Sequence, residues 1–246
     1  MSLLSLQNAL RQRQALKVIS GLNNFDIENV SAVVQAAQAG GATFVDIAAD
    51  RQVIRQVRQR IDLPICVSAV EPQALADAVD AGADLVEIGN FDSFYAQGRQ
   101  FEGPEVLALT QATRQLLPNT LLSVTVPHIL ALDEQVKLAE ALVEAGANII
   151  QTEGGTSAAP NHAGILGLIE KAAPTLAAAH AISRAVSVPV LCASGLSDVT
   201  VPMAIAAGAA GVGVGSAIHQ LNDPVAMVAV VRSLVEALVP QGVVVR

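Results

Sequence analysis

Tryptophan is absent from this chain of 246 residues, tyrosine occurs once and phenylalanine five times. With so few aromatics, a net charge of −8, a pI near 4.9 and no basic run, the chain lacks the interleaved cations and stacking rings of a nucleic-acid surface. Cysteine is nearly absent too. Cys66 and Cys192 lie 126 positions apart in apolar, strand-like segments, which is neither a disulfide framework nor a metal-ligand spacing. Both read as buried thiols of a reducing compartment. No uninterrupted apolar run reaches the ~18 residues of a membrane span, although mean hydropathy is +0.49. The opening stretch MSLLSLQNALRQRQALK mixes Leu with Gln, Asn and Arg at helical spacing, without the apolar centre and cleavage site of a secretory signal. It reads as a helix of the fold. Charged residues make up 15% of the chain, against about 25% ordinarily, and residues 223–239 are apolar around much of a helical circumference. Such a helix needs a cover, so a homo-oligomer is expected.

What is present is a regular alternation. Strand-like segments fall at 16–21, 43–48, 64–69, 85–89, 121–127, 148–153, 189–194 and 211–215, separated by segments of helical period such as DIENVSAVVQAAQAG and LDEQVKLAEALVEAG. Eight strands each followed by a helix is the pattern of a (β/α)8 TIM barrel, expected here as one domain over residues 1–246. An open doubly wound sheet seldom runs to eight such units.

The even-numbered strands share one phrase: AGGATFVDIA, AGADLVEIG, AGANIIQTE and AGAAGVGVG. In each, the glycine ends a helix and the strand begins a residue or two later. The phrase aligns Asp46, Glu87, Gln151 and Gly213, which would form one inward layer of unusual polarity, since barrel layers are normally branched aliphatics. The alternative turns the acids outward between the helices, paired with arginine. Only three lysines occur. Lys137 falls on an amphipathic helix and Lys171 in a long loop. Lys17 interrupts the first strand; facing inward it would meet Asp46 and Glu87, and a desolvated lysine can serve as a base or form an imine. Facing the bottom rim, it would be structural.

The glycines of GVGVGS raise a separate question, because Gly211, Gly213 and Gly215 alternate along an apolar strand where glycine is costly. One answer is that the N–H groups of Gly215, Ser216 and Ala217, opening a short helix SAIHQL, must approach an anion closely. Ser194 and Gly195, in PVLCASGLSD, would supply the other half of a phosphate site in the usual place, after strands seven and eight. The alternative is close helix packing.

Strand six adds Gln151 and Glu153 on one side, followed at once by Gly154, Gly155, Thr156 and Ser157. Glu153 is a candidate general base, and the segment after it a source of anion donors. Asn23 follows strand one, and His128 stands at the rim after strand five, suited to proton transfer. Asp26 and Asp92 read as helix caps. The segment 154–173 reads as one long loop, a candidate lid containing His162. No histidine pair has ligand spacing, so no metal is expected.

The stretch VPVLCASGLSDVTVPMAIAAGAAGVGVGSAI resembles the C-terminal quarter of the ribulose-phosphate-binding class of barrels. Through LKVISGLNNFD, ATFVDIAAD, LVEIGNFDSFY and QTEGGTSAAP, nearly the whole chain resembles the cyanobacterial and plastid family called hypothetical chloroplast reading frame twenty-three. That resemblance implies a TIM barrel in a cyanobacterial cytoplasm or plastid stroma and carries over no catalytic residue. The expected activity is a lyase, isomerase or synthase on a small phosphorylated metabolite, with Lys17, Asp46, Glu87 and Glu153 as catalytic candidates and no cofactor. The alternatives are an FMN-binding oxidoreductase, whose cofactor phosphate would take the same place, and a non-enzymatic metabolite-binding barrel. Neither membrane nor nucleic acid is an expected partner.

Overall fold

The computed structural model describes residues 2–89, 91–95, 97–154 and 158–239. Eight parallel strands close into a barrel in sequence order: β1 (Ala15–Ile19), β2 (Phe44–Ala48), β3 (Ile65–Ala69), β4 (Leu85–Ile88), β5 (Leu121–Thr125), β6 (Ile149–Gln151), β7 (Val190–Ala193) and β8 (Gly211–Val214). The helices are α1 (Leu3–Arg11), α2 (Ile27–Gly40), α3 (Arg51–Arg58), α4 (Pro72–Ala81), α5 (Asp92–Tyr95) and α6 (Gly103–Leu116). They continue as α7 (Leu132–Glu144), α8 (Gly164–Ala185), α9 (Val201–Ala206), α10 (Ser216–His219) and α11 (Pro224–Leu238). This is the (β/α)8 TIM barrel expected from the alternation.

Local chemistry sets the helix ends. Asp26 caps α2 by accepting the N–H groups of Glu28 and Asn29, and Asp50 does the same for α3 with Gln52 and Val53. The glycines of the repeated phrase, Gly41, Gly82, Gly146 and Gly208, all have φ between +91° and +116°, where any side chain is strained. Each therefore stops its helix at the same distance from the next strand, and this keeps the aligned residues at one height in the barrel.

Along each strand, alternate residues face the helices and the barrel interior. Outward residues such as Val18, Val45, Val67, Val212 and Val214 build the layer against the helices. Inward at the amino-terminal end, Ala15, Phe44, Cys66, Leu85, Ile149 and Leu191 form a bottom plug with Leu6 and Leu10 of α1, which closes the barrel from below. Gly211 belongs to this closure. β1 pairs with β8 through Ala15 and Gly211, and a Cβ at Gly211 would collide with the Ala15 carbonyl and lie 2.6 Å from its Cβ.

One expectation is corrected here. The segment 154–173 is not one long loop: α8 begins at Gly164 and continues through Pro174, so Lys171 lies on a helix. α8 has 22 residues and is apolar enough to span a bilayer by composition. It packs on β7 and α7 instead, burying Ala172, Thr175, Ala178, Ala179 and Ile182. α11 lies along α2, burying Met227, Val231, Leu234 and Leu238, with Val231 seated against Gly40. Part of the apolar circumference of residues 223–239 is thus covered within the chain, while Val225 and Val239 stay exposed.

Candidate functional site

The aligned polar residues face inward and meet above the bottom plug. Lys17 of β1 points to the barrel axis, fully buried, and its ammonium finds three acceptors: Asp46 Oδ2 at 2.9 Å, Glu87 Oε2 at 2.8 Å and Gln151 Oε1 at 3.0 Å. An ammonium has three protons, so its donor capacity is filled. The carboxylates are completed from neighbouring strands. Ser68 donates to Asp46 at 2.7 and 2.8 Å, Ser123 to Glu87 Oε2 at 2.7 Å, and Gln151 Nε2 to Glu87 Oε1 at 2.8 Å. Burial on its own lowers the affinity of Lys17 for its proton, but Asp46 and Glu87 more than reverse this and hold the amine charged well above its ordinary range. Burial pushes the Glu87 carboxyl up, with Lys17 opposing. Gly213 completes the layer by leaving room: a Cβ there would lie 2.9 Å from Ala193 Cβ and 3.5 Å from Gln151 Oε1.

This answers the question of the alternating glycines. Gly211 and Gly213 serve barrel closure and the interior network rather than an anion; of the three, only Gly215 reaches the mouth.

Above Gln151, at the carboxyl ends of the strands, lies a cavity of about 190 Å³. Thr125, Gln151 and Ala193 line it below, and Ser194, Gly195, Gly215 and Ser216 line it on the side of β7 and β8. Ser194 and Gly195 both have φ +74°; for Ser194 this is the left-handed region, a strain of order 1 kcal/mol held at the cavity wall. Glu153 and Asp92 also line the cavity. Glu153 Oε1 accepts from the Tyr95 hydroxyl at 2.6 Å and the His128 N–H at 3.2 Å, and lies 3.1 Å from His128 Nδ1. The Tyr95 ring stands edge-on to His128 at 5.1 Å, and Ser194 Oγ donates to Asp92 Oδ2 at 3.2 Å. Burial and the charge of Asp92 push Glu153 up, against its hydrogen bonds from His128 and Tyr95. The Glu153 contact raises His128, and burial together with Glu153 raises Tyr95.

The structure sorts the expected site residues. Glu153, Gln151, Ser194, Gly195, Gly215 and Ser216 share the cavity. Lys17, Asp46 and Glu87 do not line it; they lie beneath its floor, and Lys17 and Glu87 touch it through Gln151. They were expected as catalytic candidates; the structure places them in a network under the cavity, where the Lys17 ammonium has all three protons engaged and no lone pair for imine chemistry. His128 stands behind Glu153, and Gly154 packs between His128 and Pro174. Asn23 and Ala217 are exposed and line no part of the cavity. Gly155, Thr156 and Ser157 lie outside the described residues.

Sequence reasoning missed Asp92, Tyr95, Thr125 and His219, the last of which lines the cavity with Ser216. Asp92, read as a helix cap, instead sits 3.8 Å from His128 Nδ1. The signal for Tyr95 was its being the only tyrosine. Asp92, His128 and Glu153, among which no metal was expected, each offer a ligand atom, and these atoms lie within 4.8 Å of one another. They follow three different strands, Asp92 at the start of α5 after β4, His128 after β5 and Glu153 after β6, so no sequence spacing shows the cluster.

The family profile described as "Protein of unknown function (DUF561)" matches residues 1–244. The uncharacterized protein ycf23 of Pyropia yezoensis is 41% identical over 226 residues, covering 92% of this chain and 83% of that protein. Among solved structures, 3-hexulose-6-phosphate synthase aligns with a TM-score of 0.64 at 19% identity, over 92% of this chain and 100% of that one. The (S)-3-O-geranylgeranylglyceryl phosphate synthase from Thermoplasma acidophilum, solved with its substrate sn-glycerol-1-phosphate, aligns with a TM-score of 0.61 at 13% identity, over 95% and 97% of the two chains. At these identities the two enzymes speak for the fold alone.

Proposed function

The chain belongs to the family described as protein of unknown function (DUF561), and from that premise we propose that it is an enzyme acting on a small phosphorylated metabolite in a cyanobacterial cytoplasm or plastid stroma. The reaction is of the lyase, isomerase or synthase type. One observation carries the reading: a single small cavity joins the loops after β7 and β8 to a buried carboxylate at the other side of the barrel mouth. Ser194, Gly195, Gly215 and Ser216 grip the phosphate, a recurrent use of these two loops in barrels. Glu153, with Thr125 and Gln151 below it, marks the reacting end. A cavity of about 190 Å³ suits a metabolite of a few carbons. The two aligned synthases make phosphate esters by name, and the second was solved with a phosphate-ester substrate, which adds support by analogy of fold.

Calorimetric titration with glycerol, triose and pentose phosphates tests the proposal. At least one should bind below 1 mM, and Gly215→Asp, which places a carboxylate where the phosphate would sit, should weaken it tenfold or more. No binding of any ester at several millimolar, together with a silent Gly215→Asp, would sink it.

A further inference from the structure

The cavity carries an electrostatic imbalance. Two carboxylates, Asp92 and Glu153, line it with one histidine, His219, and among the described residues no lysine or arginine does. Lys17 is spent on Asp46 and Glu87 beneath the floor, and Lys137 is exposed beside Asp133. A phosphate ester entering here would meet the charges of the half-buried Asp92 and the buried Glu153, which water screens only in part.

Two oxygens of the same cluster are also left bare. Glu153 is 4% exposed, yet its Oε2 has no hydrogen-bond partner among the described residues, and neither has the solvent-shielded Oδ1 of Asp92. An anionic oxygen buried in this way is costly unless paired or coordinated to a metal. Asp92 Oδ1 lies 3.8 Å from His128 Nδ1, and the three side chains converge within 4.8 Å. The Tyr95 hydroxyl and the His128 N–H already hold Glu153 Oε1, so Nδ1 is not needed to fix that carboxylate.

We infer that Asp92, His128 and Glu153 bind one divalent metal ion, which supplies the positive charge that a phosphorylated substrate requires at this mouth. One nitrogen and two carboxylate oxygens suit Mn²⁺ or Zn²⁺ better than Ca²⁺, which takes six to eight oxygens. Three protein ligands leave positions open toward the cavity for an oxygen of the substrate. Glu153 then acts by holding the ion. The ion site rests on the cluster's own geometry; its purpose rests on the phosphate reading.

The test uses full-length protein treated with EDTA and dialysed. Mn²⁺ is titrated with the free-ion paramagnetic resonance signal as readout, and Zn²⁺ by calorimetry. One ion per chain should bind in the micromolar range, weakened at least tenfold by Glu153→Gln and by Asp92→Asn. Asp92 is the more exposed of the two, so its variant guards against a folding defect, checked by thermal melting. Less than a fifth of an ion per chain at 1 mM, or variants that bind as tightly as the parent, would overturn the inference. sn-Glycerol 1-phosphate is then titrated with and without Mn²⁺. Tenfold weaker binding in EDTA supports the assigned purpose, and equal binding in both overturns that purpose while the phosphate reading stands. An ion that binds with no ester binding in either condition upholds the site and refutes the phosphate reading.

Discussion

Replacing Lys17 with methionine removes the one cation that the described residues place in the barrel interior and keeps a stem of similar length. Asp46 and Glu87 would then face each other's charge with only Ser68, Ser123 and Gln151 as donors. Breaking a buried ion pair by deleting one partner costs about 3–5 kcal/mol. A second route gives a similar figure: keeping one carboxyl protonated at pH 7, against an ordinary pKa near 4.3, costs about 4 kcal/mol. The two routes predict the same pH dependence. In the parent, the raised pKa of Lys17 contributes stability that is complete below about 10.5 and lost only as pH climbs through the higher folded value, so it is constant between pH 5 and 8. In the variant, a buried acid with a raised pKa contributes stability that is complete below its ordinary value and lost as pH rises through the folded one. The deficit should therefore be about 1 kcal/mol at pH 5 and about 4 kcal/mol at pH 7. Urea unfolding followed by circular dichroism is the assay, since the chain has no tryptophan. Adding Asp46→Asn and Glu87→Gln to Lys17→Met should recover at least half of the loss at pH 7. A deficit under about 1 kcal/mol at pH 7, or one independent of pH, would refute the claim that Lys17 neutralises the interior.

Gly211→Ala should cost about 2–3 kcal/mol in urea unfolding, because its Cβ meets the Ala15 backbone. Gly82→Ala, with open space around its Cβ and only a φ of +116° to strain it, should cost about 1 kcal/mol. In native protein both thiols should be silent to Ellman's reagent, since burial pushes them up, Cys192 to about 11. Leu6→Asp, which disrupts the bottom plug, should make Cys66 react before Cys192. Purified protein should show no absorbance near 450 nm, because a flavin needs more room than about 190 Å³; a stoichiometric flavin band would reverse that reading.

The inward layer was legible because each of its residues sits in the same short phrase, at the same distance from a helix-ending glycine. Asp46, Glu87 and Gln151 share a height for the reason that Gly41, Gly82 and Gly146 share a backbone conformation. α8 was misread where Pro174 looked like loop; the helix accommodates it, and Gly154 packs against it. Asp92 was misread because an aspartate ahead of a helical segment looks the same whether it caps that helix or crosses to a histidine from another loop.

Sequence alone determined the barrel, its repeat and the polarity of its middle layer, since turns, caps and alternation act between residues close along the chain. Only the tertiary structure decided the direction of Lys17, the burial of two of the three glycines in the barrel wall, and the meeting of Asp92, His128 and Glu153. Those depend on how the strands close and how loops from different strands converge, distances that no local pattern encodes.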